Sequence, residues 1–174
     1  MKIKKGTDRI VVAFPLLGIV VKIPIIHFIR LFSVLTTEKG EFPLYWKYWK
    51  MKIFSGLISN WNEFRFYWRT RNPFLQPTYF SIFGLLNIQR YGEPCNLQIV
   101  DLWCQLHELT DGSVFDDSHH FANPNNFCFY KGKLRISDYG SQRSHRVIMK
   151  YGERIFKFFD PAYSWKGKRK GHIM

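Results

Sequence analysis

The run from Ile10 to Ile29 constrains the fold more than any other stretch of this chain. It is almost continuously apolar and follows Lys2, Lys4 and Lys5, so hydropathy alone would make it a signal peptide or a membrane helix. Its interior argues otherwise. Lys22 lies in the middle of the run, and a charge at the bilayer centre costs roughly 2.5–3.5 kcal/mol. Pro15 and Pro24 remove backbone donors, and no small-residue cleavage pattern follows. The stretch is rich in β-branched residues, which predicts two strands, Arg9–Phe14 and Gly18–Pro24, joined by a tight Pro15-Leu16-Leu17-Gly18 turn. A membrane is accordingly not an expected partner.

Beyond the hairpin the period changes. Trp46, Trp49, Ile53, Leu57 and Trp61 recur at helical spacing between about Pro43 and Thr70, with Gly56 placed to divide the stretch into two helices. Asn72-Pro73 ends it. Short strands are expected at Tyr79–Phe83 and Leu85–Gln89, then a turn at Tyr91-Gly92-Glu93-Pro94. Asn96 is placed to cap a helix over Leu97–Leu109. A polar loop, Asp116 to Asn126, leads to a hairpin of Phe127–Tyr130 and Lys133–Ser137 around Lys131-Gly132. A last helix is expected near Val147–Phe159, ahead of the basic tail Lys166-Gly167-Lys168-Arg169-Lys170, expected to fray.

The chain has 174 residues, which suits one domain or two small lobes, and 46% hydrophobic residues supply a core. Lys and Arg outnumber Asp and Glu 26 to 13, a formal charge of +13. That balance favours a polyanionic partner such as a nucleotide or nucleic acid, or serves only as a solvated face. Cys95, Cys104 and Cys128 are an odd number without CxxC spacing. They point away from a disulfide framework or zinc site, and towards a reducing, cytoplasmic setting.

The order of elements, with the segments His119-His120-Phe121-Ala122-Asn123-Pro124-Asn125-Asn126, Asp138-Tyr139-Gly140 and Val20-Val21-Lys22-Ile23, resembles the protein-kinase-like superfamily. The first segment resembles the kinase catalytic loop, the second the D-F-G turn and the third the V-A-I-K strand. The fold this resemblance implies is α+β: a bilobal kinase-like domain with a small antiparallel-sheet N-lobe (8–92), a reduced helical C-lobe (93–165) and the tail (166–174). It implies ATP and Mg²⁺ as cofactors. Asn126 and Asp138, at the two ends of one hairpin, are the metal-ligand candidates, since Mg²⁺ prefers oxygen donors. Lys22, Glu63 and Gly18 are the nucleotide-binding candidates. Independently of any family, Lys22 needs an anionic partner, because a lysine on an apolar strand is costly to bury uncompensated. Glu63 is the best-placed helix carboxylate, with Glu38 and Glu41 as alternatives.

The departures are substantial. There is no G-x-G-x-x-G, and the position of the usual catalytic acid holds Phe121. Asp117, His119 and His120 are the candidates for a substitute base, with Asp116 beside them; an aspartate here would have to swing in from the polar loop. Only 34 residues follow Gly140, so the resemblance implies a minimised or degenerate kinase fold. An active ATP-dependent phosphotransferase and a nucleotide-binding pseudokinase both remain open. An acceptor would be an acidic protein or a phosphorylated small molecule, to match the basic surface. The competing reading is a basic nucleic-acid-binding protein without enzymatic activity. It rests on the +13 charge and on the aromatic and basic interleaving of Tyr45–Lys50, Arg65–Arg69 and the basic tail, in which rings stack bases and cations track phosphates. A third reading, an interaction protein on the same scaffold, stays open because fold does not fix function.

Overall fold

The computed structural model describes residues 1–27 and 53–165. The expected helical positions Trp46 and Trp49, the carboxylates Glu38 and Glu41, the Tyr45–Lys50 segment and the basic tail lie outside those residues. The chain is α+β. It divides into two compact units, Met1–Arg65 with Thr78–Tyr91, and Phe66–Pro77 with Gly92–Met174.

The first unit is built on a five-stranded antiparallel sheet of order β1-β2-β3-β5-β4. Its strands are β1 (Lys2–Lys5), β2 (Arg9–Phe14), β3 (Ile19–Pro24), β4 (Thr78–Ser81) and β5 (Asn87–Arg90). Strands β2 and β3 run within a residue of the expected hairpin, and Pro15–Leu17 forms a turn of 3-10 helix closed by Gly18 at φ +67°. Cross-strand partners share a face of a sheet. The pairs Val11–Lys22, Ala13–Val20 and Lys22–Asn87 therefore put these side chains on one face, and Arg9, two residues from Val11, joins them.

Helix α1 (Ser55–Thr70) lies in sequence between β3 and β4 and starts one residue before Gly56, after a bend at Phe54 that follows the helical Ile53. The helical stretch is thus interrupted at Phe54, two residues before the expected divider. A Cβ at Gly56 would lie 2.1 Å from the Asp8 carbonyl oxygen, so this glycine also marks a close backbone approach. Strands β4 and β5 are shorter and further apart than expected. Ile82 to Leu86 form the turn, fixed by bonds from Ile82 N–H to the Leu86 carbonyl and from Leu85 N–H to the Ile82 carbonyl.

The second unit has a three-stranded sheet, β6 (Glu93–Pro94), β7 (Phe127–Tyr130) and β8 (Lys133–Ile136), and the helices α2 (Ile99–Leu109), α3 (Ser118–Phe121) and α4 (Gln142–Phe158). Helix α2 starts two residues later than expected, with Gln98 rather than Asn96 at its N-cap. Helix α4 starts five residues earlier than expected because Ser141 caps it, its side chain accepting from the Arg143 N–H. Ser144, Val147, Ile148, Tyr151 and Ile155 are its buried face, the three- and four-residue spacing that seats an amphipathic helix on a core. Phe74, Leu75, Leu102, Leu106, Ile136 and Tyr139 close that core.

Candidate functional site

In the first unit the buried lysine and the buried glutamate meet. Strand β3 carries Lys22 on the face that receives α1, and Glu63 lies two turns along that helix. Lys22 Nζ stands 2.8 Å from Glu63 Oε2, with side-chain exposures of 5% and 0%. An ion pair so far from water persists only if both charges are well compensated. Glu63 has a second cation: Arg9 Nη1 donates to Oε1 at 2.6 Å and to Asn60 Oδ1 at 3.1 Å. Asn60, one turn before Glu63, donates to the Lys22 and Gly84 carbonyls. Its own carbonyl accepts from Asn87 Nδ2 at 2.7 Å.

Sequence reasoning missed Arg9 and Asn60. The available signal was positional: Arg9 follows the two-residue period that leads through Val11 to the Lys22 face, and Asn60 precedes Glu63 by three residues. Gly18 closes its turn through its N–H to the Pro15 carbonyl at 3.1 Å, and a Cβ there would meet nothing within 4 Å.

In the second unit Asn126 and Asp138 come together at the foot of the β7–β8 hairpin. The Asn126 carbonyl accepts from Ser137 N–H at 2.7 Å, Ser137 Oγ at 3.0 Å and Asp138 N–H at 3.3 Å. Twelve residues of hairpin thus begin and end at one point. The Asn126 amide nitrogen donates to the His120 carbonyl at 3.0 Å, which fixes the amide orientation and makes Oδ1 the atom a cation would take. Tyr139 is fully buried, and its hydroxyl donates to the Gln76 carbonyl at 2.8 Å. The Tyr139 carbonyl accepts from the His145 ring, which stacks on Phe66 with centroids 3.7 Å apart. The backbone beside Asp138 is therefore held from both sides. Among the described residues no group of three or more His, Cys, Asp or Glu could hold a metal, so an ion here would need the Asn126 amide and ligands from solvent or substrate.

The three base candidates lie together. Asp117 is 6% exposed and tied down: His120 Nδ1 lies 2.8 Å from Oδ1, and the buried Ser144 hydroxyl donates to Oδ2. The expectation that Asp117 could swing in from a polar loop is corrected, because it ends a 3-10 helix (Ser113–Asp117) and its carboxylate is fully engaged. His120 is its partner, and His119 is exposed next to it. Phe121 is a core residue with no exposure, packed near Phe127. Ser144 had no sequence signal of its own.

Arg65–Arg69, a basis of the nucleic-acid reading, is half core. Phe66 is buried and Tyr67 packs against the core, while Arg65, Trp68 and Arg69 are exposed, with the Arg71 guanidinium 3.6 Å from the Trp68 ring centre. No helix among the described residues is long and apolar enough to cross a membrane. No protein-family model, curated protein or solved structure matches the chain.

Proposed function

We propose that the chain is a protein-kinase-like protein that binds ATP with Mg²⁺. The observation that carries this reading is the buried Lys22–Glu63 pair, set between the third strand of a sheet ordered β1-β2-β3-β5-β4 and the helix that follows that strand. An ammonium held by a carboxylate is oriented, keeps its charge and can still offer protons to phosphate oxygens. The apolar side chains Val11, Ala13 and Val20 share its face of the sheet and suit a planar base. The backbones of Asn126 and Asp138 meet, and both residues carry side-chain oxygen donors of the kind Mg²⁺ prefers.

Bound Mg²⁺ would neutralise phosphate charge; this chain's own residues supply binding and orientation. Phosphotransfer would require a base as well. The position held by Phe121 offers none, and Asp117 is engaged, which leaves His119 on the surface and His120, held by Asp117, as the base candidates. Nucleotide binding is thus better supported than catalysis.

The test is thermal unfolding with and without ATP and Mg²⁺. Ligand at about a hundred times its dissociation constant adds ~2.7 kcal/mol, a shift of several degrees for a chain of this size. The shift should require Mg²⁺ and disappear in Asp138→Asn and in Lys22→Met. No shift at millimolar ATP sinks the reading.

A further inference from the structure

We infer that Arg9 is a positioning residue for phosphate binding: it holds Glu63 so that Lys22 can turn to a phosphate. This rests on the nucleotide reading above. The Glu63 carboxylate divides its two oxygens between two cations, Oε1 to Arg9 and Oε2 to Lys22. A phosphate that approaches Lys22 competes for the same ammonium and brings further negative charge towards a carboxylate that has no exposure at all. If Lys22 were the only cation on Glu63, binding would strip a buried charge of its partner, which is strongly unfavourable. Arg9 keeps its oxygen paired throughout.

The two cations also differ in the way this division requires. Arginine presents a rigid planar fork, and here one nitrogen bridges Glu63 and Asn60, tying the helix to β2. Lysine is a compact point charge whose rotatable donors can serve a carboxylate and a phosphate together. The fork therefore holds position while the ammonium adapts. Asn60 links them, because its amide also bonds the carbonyl of Lys22.

The experiment compares affinity for ATP with Mg²⁺ against affinity for adenosine, by calorimetry, in wild type, Arg9→Gln, Arg9→Met and Arg9→Lys. Adenosine has no phosphate, so it does not draw on Lys22. Loss of the second cation is expected to weaken ATP about tenfold while adenosine stays within about twofold. Arg9→Lys, which restores a cation to Glu63, should recover most of the ATP affinity. Arg9→Met keeps the aliphatic stem and decides the question if Arg9→Gln does not fold. An equal loss for both ligands would make Arg9 merely structural, and no loss for either would remove its role; both overturn the inference. Wild type that binds neither ligand overturns the nucleotide reading itself, a result visible before any Arg9 variant is measured.

Discussion

At Asp117 burial and hydrogen bonding compete over one carboxyl. Burial pushes it up, but bonds from His120 and Ser144, the charge of His120 and a bond from Ser141 outweigh burial and hold it below its ordinary 3.8. A carboxyl depressed in the folded state contributes stability that is complete above its unfolded value and is lost as pH falls through the folded value. The stability difference between wild type and Asp117→Asn should therefore persist from neutral pH down to the ordinary value, then shrink in more acidic solution. Urea unfolding across that range checks it, and a difference that ignores pH would mean the charge contributes nothing. Residues of this kind were only partly legible in the sequence. Lys22 stood out as a cation inside an apolar strand, whereas Asn126 and Asp138 were picked out by the resemblance of their segments to a kinase loop and D-F-G turn. Asp117 was visible as an acid but not as a tethered one, since Ser144 sits 27 residues away on a helix whose first turn has no apolar pattern.

Elements were read best where side-chain period and turn chemistry agreed. The β2–β3 hairpin had both, with alternation on each side of Pro15 and Gly18. Strand β1 was missed because every one of its residues is exposed; it exists through backbone pairing with β2, and its lysines suit a sheet edge. At Gly56 the sequence signalled the interruption beside it, at Phe54, but not the contact that demands a glycine. Propensity scores the helix alone, whereas its neighbour is the Asp8 carbonyl, itself fixed by the Ile25 N–H at 2.8 Å. The two accounts predict opposite signs. By propensity Gly56→Ala should stabilise by about 0.5–1 kcal/mol; by the contact it should destabilise by ~1–3 kcal/mol, and that is the expected result. Gly18→Ala is the control, because it meets no atom within 4 Å and should cost only the ~1–2 kcal/mol of its left-handed backbone. Denaturant midpoints of the two variants decide between the accounts.

For the whole molecule the question is what a charge of +13 is for, and composition could not say whether it serves a built site or a diffuse field. The two respond differently to salt. Lys22 is 4% exposed, and buried charges are screened little, whereas exposed lysines and arginines lose their pull within a Debye length. A surface that held nucleic acid through six to ten phosphate contacts would lose about 10³–10⁵ in affinity between 50 and 200 mM salt. ATP with Mg²⁺, held by Lys22, should lose less than about tenfold over the same interval and should require the metal at both ends of it. Dissociation constants for ATP with Mg²⁺ and for a random-sequence single strand, each at the two salt concentrations, make the comparison. Should ATP weaken as steeply as the strand, and bind as well without metal, then the net charge alone attracts nucleotides. The buried pair would in that event be a structural tie between β3 and α1, and the charge would be explained by a polyanion spread over the surface.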